Sequence, residues 1–271
     1  MPLPESDPTQ EAIAWCEDQW GHPDEIALPL SDRGLSLGDG VFETVLIRQG
    51  KPQLLREHLQ RWQKSAELLE LPPPPEKSDV VAWLGEAINR SRIEDGAMRI
   101  NWSRGSSNRG LKPPRTPIGR CWGTLHAHLP RFKTTRVVIS KKVRRWSNDP
   151  LALCKSLNYG AQVLARSEAI RQGADDALLL NDEGQLCCGS SANILVLRSG
   201  QWLTPPLRSG CLPGVMRGRG VDMRLIREEV LSSTLREEEP AVLLNSVDCR
   251  PLNEQAKTLA ESLFERILSS A

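Results

Sequence analysis

Lys155 lies in the stretch ALCKSLNYG, between Cys154 and a Ser-Leu-Asn-Tyr run that leads into a helical pattern. A lysine among apolar neighbours just before a helix loses solvation of its charged form, so its amine pKa is expected to fall. A neutral amine can condense with a carbonyl and form a Schiff base. The chain holds nine lysines against 26 arginines, so chemistry that needs an amine has few places to reside. Taken alone, Lys155 also reads as an ordinary surface lysine.

Other residues suit anions. Arg61 lies on a helical stretch one residue before Trp62. By position it is a solvated helix arginine, but its guanidinium fork also matches a phosphate dianion. In Leu212-Pro213-Gly214-Val215-Met216-Arg217, Pro-Gly opens a helix whose first N–H groups, those of Val215 and Met216, can cradle phosphate at the positive end of the dipole. An ordinary turn before a helix reads the same way. Arg104 and Arg109 flank the loop SRGSSNRG, where Gly105 and Gly110 permit tight turns. They are candidates for gripping carboxylates, the alternative being a surface loop with two solvated arginines.

Several chemistries are disfavoured. The four histidines stand beside no Ser or Cys signature, Gly189-Ser190-Ser191 lacks the GxSxG pattern, and neither GxGxxG nor a Walker lysine is present. Seven cysteines, an odd number without CxxC pairs, read as reduced thiols and give no metal site. A formal charge of +1 removes the global attraction that a nucleic-acid binder uses. No apolar run approaches the roughly 18 residues of a membrane span, and the start MPLPESDPTQEAIAW has no basic n-region, so a cytoplasmic protein is expected.

The elements that must position these groups follow from periodicity. Residues 1–24 are Pro- and Asp-rich, with an apolar patch at 13–20 that suits a short docking helix or strand. Leu55, Leu59, Trp62, Ala66 and Leu69 follow helical spacing and stop at Pro72. Ser78 can cap a second helix with Val81, Leu84 and Ile88 as its stripe, and 98–103 alternates as a strand. The polar segment HAHLPRFK marks a boundary between an N-terminal α/β domain, 1–128, and a C-terminal cofactor-bearing domain, 129–271. Beyond it come a strand at 136–140, a helix over 158–171 ended by Gly173, short strands at 177–180, 185–188, 194–197 and 201–204, and a final helix with Leu259, Leu263 and Ile267 on one face. Helix and sheet are mixed in both halves, without a repeat period.

Three segments taken together, SDRGLSLGDGVFET, KSLNYGAQVLARSEAIRQGADDALLLNDEGQLCCGSSANILVL and LTPPLRSGCLPGVMRG, resemble in order and spacing the class IV, pyridoxal-phosphate-dependent aminotransferases. The likeness runs from Ser31 to Leu252. It implies a mixed α/β, two-domain fold of the D-amino-acid-aminotransferase type, an N-terminal α/β sandwich followed by a C-terminal sheet-rich pseudo-barrel with flanking helices. It further implies a homodimer with Lys155 carrying pyridoxal 5'-phosphate, Arg61 in the HLQR motif on the phosphate with Val215, Met216 and Ser246, and Tyr159 toward the phenolic oxygen. Thr44 falls on the substrate side, and Asn193 braces the loop. RINWSRGSSNRGL and VLLNSVDCRPL are most like the aminodeoxychorismate lyases, which form 4-aminobenzoate and pyruvate for folate synthesis. Amino transfer to or from a D- or branched-chain amino acid, and a non-catalytic relative, are the alternatives.

One position departs from the pattern. Where the family carries a glutamate that keeps the pyridine nitrogen protonated, four residues after Gly184 and five before Asn193, this chain has Cys188. A thiol is a weak donor and holds a proton poorly. Either a Cys188 thiolate substitutes in part, or Glu183 or Asp182 reaches the ring from the adjoining turn, or the reaction needs less of the electron sink. The third option favours the lyase, since aromatisation of the product supplies driving force that amino transfer lacks.

Overall fold

The computed structural model describes residues 12–236 and 238–269, and the first eleven residues of the Pro- and Asp-rich leader lie outside them. The described chain divides into two units, one of residues 12–129 with Lys155–Leu157, the other of 130–154 and 158–269.

In the first unit the apolar patch is extended: β1 (Ile13–Cys16) turns back into β2 (Gln19–Gly21), and Trp15 stacks on Trp20 at 5.3 Å. A short helix α1 (Arg33–Leu37) follows, capped by the Asp32 carboxylate, which accepts from Gly34 N at 2.8 Å. Then come β3 (Gly40–Arg48), β4 (Lys51–Pro52), α2 (Leu55–Leu68), α3 (Lys77–Ser91), β5 (Gly96–Ser103) and β6 (Arg120–Ala127). The strands form one antiparallel sheet in the order β2-β1-β6-β5-β3-β4. α2 packs on β3 and α3 on β1. Between them lie Trp15, Trp62, Met98, Ile100 and Leu125, all fully buried.

The second helix differs from expectation at its start. Glu76, not Ser78, is the N-cap, in a reciprocal capping box with Asp79, and the buried stripe is Val80, Leu84 and Ala87, with Val81 exposed.

Lys155–Leu157 groups with this unit because it pairs with β3. Phe42 N donates to Lys155 O and Leu157 N to Gly40 O, each at 2.9 Å, with Val41 opposite Ser156. Gly40 permits the approach, since a Cβ there would lie 2.6 Å from Trp102 O and 2.7 Å from a Leu157 methyl.

The second unit contains β7 (Val137–Arg145), α4 (Gly160–Arg171), β8 (Asp176–Asn181), β9 (Leu186–Gly189), β10 (Asn193–Arg198), β11 (Gln201–Thr204), α5 (Val215–Asp222), β12 (Ile226–Glu228), β13 (Ala241–Leu244), β14 (Cys249–Pro251) and α6 (Glu254–Ser269). Its sheet runs β12-β11-β10-β9-β8-β7, with β13 on β10 and β14 on β13. The near-continuous apolar runs ALLL and ILVL are buried on both faces, as strands covered on two sides require. α4 packs on β7 and β8, and α6 on β13 and β14. Small residues make the α4 contact close: Ala165 and Ala169 meet Ala177, Leu179, Cys187, Cys188 and Cys211. The two sheets and six helices of the described residues match the mixed α/β fold that the family resemblance implies.

Candidate active site

β3 carries side chains to two faces with a period of two. On the α2 side is Glu43, completely buried and the only acid in its strand. Arg61 Nε donates to Glu43 Oε1 at 2.8 Å and Nη2 to Oε2 at 2.6 Å, while His58 Nδ1 stands 2.7 Å from Oε2. Burial alone would raise the Glu43 pKa, but Arg61 and His58 more than offset it and hold it at about 2. Burial lowers the His58 pKa against the pull of Glu43, with Arg61 and Lys155 adding repulsion. Arg61, which its helix position alone makes a solvated residue, is therefore a buried cation with a fixed plane.

On the opposite face are Phe42 and Thr44. The Lys155 ammonium lies over the Phe42 ring, 4.3 Å from its centroid, and the Arg99 guanidinium lies 3.6 Å from the same centroid. Thr44 is half-buried and stands opposite Arg99 in the β3–β5 register. Lys155 N donates to Ser65 Oγ on α2 at 3.3 Å. The chain around Lys155 is thus tied to β3 on one side and α2 on the other.

The two loop arginines have different surroundings. Arg104 is buried: Nε and Nη2 donate to the Asp39 carboxylate at 2.8 and 3.2 Å, Nη1 to Glu70 O at 2.6 Å, and Nη2 also to Leu69 O at 2.7 Å. All three guanidinium nitrogens are used within the protein, so Arg104 anchors the end of β5 and does not fit the expected substrate contact. Arg109 is exposed on the loop and lines a cavity of about 590 Å³. Gly105 is required where this loop begins: its φ is +82°, and a Cβ would fall 1.8 Å from Ile118 O.

In the second unit Asn193 joins three segments. It is opposite Cys188 of β9 and Leu244 of β13, and its Nδ2 donates to Leu212 O at 2.9 Å. Gly214 is the N-cap of α5 and makes no side-chain cap bond; a Cβ there would lie 2.0 Å from Asn193 Oδ1. Val215 and Met216 form the first turn of α5, where helix N–H groups have no partner within the helix. Ser246 lies in the turn after β13, next to Asn245, whose Oδ1 accepts from Val247 N and Asp248 N. Tyr159 is half-buried at the N-cap of α4. A glycine cap and an uncapped helix start suit a phosphate dianion.

Cys188 is buried beside Cys187 and Cys211. The neighbouring Cys187 thiol lowers the Cys188 pKa, opposed by burial and assisted by Arg145. The acids of the adjoining turn are committed elsewhere: Asp182 Oδ1 accepts from Ser147 N at 2.7 Å, and Glu183 accepts from Gln185 Nε2 at 2.9 Å. Asp176, the acid whose charge reaches Cys188, is bound by Arg166 and Arg250 at 2.7 Å each and by Ser190 Oγ at 2.6 Å.

Sequence reasoning passes over Glu43, His58, Arg33, Asp39 and Arg99. The available signal was a single acid in the apolar run VFETVLI and a His and Arg three apart on the helix that must cover it.

The amino-transferase class IV family profile matches residues 40–254. The chain belongs to the class IV aminotransferase family. A putative branched-chain-amino-acid aminotransferase of Methanocaldococcus jannaschii is 33% identical over 215 residues, 78% of this chain and 73% of that one. A bifunctional aminodeoxychorismate lyase / D-amino acid transaminase of Mycobacterium tuberculosis is 29% identical over 187 residues, 62% of this class IV chain and 63% of the relative. Among solved structures, a putative 4-amino-4-deoxychorismate lyase of Legionella pneumophila superposes with a TM-score of 0.82 at 25% identity, covering 92% of this chain and 97% of that one.

Proposed function

We propose that this class IV enzyme is a lyase that converts 4-amino-4-deoxychorismate to 4-aminobenzoate and pyruvate. The observation that carries this reading is Cys188, a thiol where amino transfer calls for a carboxylate, with the neighbouring acids Asp176, Asp182 and Glu183 bound to other partners. The cofactor is pyridoxal 5'-phosphate, which when bound supplies an aldehyde for the substrate amine and an electron-withdrawing ring. By the family resemblance, Arg61 would meet its phosphate, as would the α5 start at Val215 and Met216 and Ser246, and Tyr159 would donate to its phenolic oxygen. Lys155 carries the cofactor, removes the substrate's ring proton at Nζ and returns a proton during product release. Thr44 assists protonation of the leaving group, and Arg109 binds a carboxylate. The working form is a homodimer in the cytoplasm, in keeping with seven free cysteines.

The second reading is a transaminase for D- or branched-chain amino acids, favoured by the names of the similar proteins. Protein loaded with pyridoxal phosphate and given enzymatically generated aminodeoxychorismate is expected to release 4-aminobenzoate, and Lys155→Ala to abolish both product and the Schiff-base absorption band. Amino transfer from D-alanine or leucine to a 2-oxo acid without 4-aminobenzoate formation would establish the transaminase. Failure to take up cofactor at all would establish a non-catalytic scaffold.

A further inference from the structure

The carbonyls of Gly110, Leu111 and Lys112 lie between β5 and β6, outside any strand ladder. Their donor is Arg33, a residue only 5% exposed. Its Nη1 donates to Gly110 O at 3.0 Å, Lys112 O at 3.4 Å and Ser107 Oγ at 3.2 Å, and its Nη2 to Leu111 O at 3.0 Å. Its Nε donates to Asp39 Oδ2 at 2.6 Å, the same carboxylate that binds Arg104. Burial opposes ionisation of Asp39, but the two arginines hold its pKa below the ordinary carboxylate value. Backbone bonds from Arg33 N to Gly105 O at 3.0 Å and Ser107 N to Ser31 O at 3.2 Å close the remaining gaps. The loop so held presents Arg109 and Lys112, with Ser31, Ser106, Ser107 and Asn108, to the 590 Å³ cavity, and no acidic residue lines it.

We propose that Arg33 is a positioning residue: by gathering the loop carbonyls it sets the location of Arg109 and so the affinity for a carboxylate-bearing substrate. The proposal rests on the reading that Arg109 meets a substrate carboxylate. A planar fork can serve three carbonyls, a hydroxyl and a carboxylate at once, which a lysine ammonium cannot. Arg33→Lys therefore keeps the charge beside Asp39 and releases the loop. An unheld loop must be ordered when the ligand binds, and that cost appears as lost affinity.

In the cofactor-loaded protein, Arg33→Lys is expected to raise KM about tenfold with kcat nearly unchanged, and to speed hydrogen exchange of the amides of 106–112. Arg109→Ala is expected to raise KM without changing that exchange, and adding Arg33→Lys to it to raise KM no further. Gly110→Ala, at φ +114° with open space for a methyl, strains the loop without touching the core and is expected to reproduce the effect if Arg33→Lys does not fold. Wild-type KM and exchange in both loop variants, with KM raised in Arg109→Ala, would overturn the role of Arg33. An unchanged KM in Arg109→Ala would instead remove the carboxylate reading, and the proposal with it.

Discussion

Arg61 and Glu43 share two hydrogen bonds in a place closed to water, with a carboxylate on the middle of a strand meeting a guanidinium on the helix above it. Removal of two charges from water is costly, and the geometry here meets that cost with a bidentate contact plus His58. The pair fixes the plane of the arginine that the family resemblance places on the cofactor phosphate.

Glu43→Gln is expected to lower stability by roughly 3–5 kcal/mol, because it leaves a buried guanidinium without its counter-charge. Urea unfolding monitored by tryptophan fluorescence measures this. The variant should also release pyridoxal phosphate more readily, read as a higher Kd by absorbance titration.

The same cluster sets an acid limit. Glu43 is held at about 2, below its ordinary 4.5, so its stabilisation is complete above pH 4.5 and is lost as the pH falls toward 2. His58 is depressed from 6.5, so below that pH the unfolded chain binds a proton that the buried ring does not, and stability falls there too. Stability plotted against pH should decline from about 6.5 and steepen below 4.5, with Glu43→Gln removing the lower part and His58→Gln the upper. A flat profile between pH 7 and 3 in the parent protein would contradict both assignments.

Cys188→Glu is expected to raise amino transfer from D-alanine far more than 4-aminobenzoate formation, since a carboxylate strengthens the electron sink that only the former requires. The informative quantity is the ratio of the two kcat/KM values. Equal gains would remove the argument from aromatisation.

Arg104→Ala and Arg109→Ala should separate cleanly. The first empties contacts to Asp39, Leu69 and Glu70 and is expected to lower stability by roughly 2–4 kcal/mol; the second alters an exposed side chain and should leave the Tm within a degree or two. Differential scanning calorimetry of both variants provides the comparison.

Gly214→Ala places a methyl 2.0 Å from Asn193 Oδ1, so either the α5 start or the Asn193 amide must move, at a cost of roughly 1–3 kcal/mol. Cofactor affinity should drop with it, seen as faster loss of pyridoxal phosphate on dialysis. Gly218→Ala, with open space around it, should retain the cofactor.

Local rules reached the elements further than they reached the site. Helical spacing and Pro72 located α2, and alternation located β5, because those signals involve neighbours in sequence. The α3 stripe runs through Val80 and Ala87 where Val81 and Ile88 were expected because each is one of two adjacent apolar residues, and packing against β1 decides which of the two is buried. The roles of Arg104 and Arg109 were indistinguishable in SRGSSNRG: what consumes Arg104 is Asp39, 65 positions away, and the carbonyls of Glu70 and Leu69, 34 and 35 away. Glu43 was hidden for the same reason, since its partners lie 15 and 18 positions on, across a turn. The motif order conveyed the family, whereas the partners of its charged groups emerge only from the fold.

The pairing of Lys155–Leu157 with β3 also bears on synthesis. Phe42 waits for a partner more than a hundred residues downstream, a closure whose entropic cost grows only slowly with loop length but whose search is long. A nascent chain arrested at residue 129 would display the start of β3 with an open edge and no amine beside Phe42. The amine beside Phe42 therefore arrives only with a segment made more than a hundred residues later, so the edge of the first sheet is completed after the rest of that sheet has been synthesised.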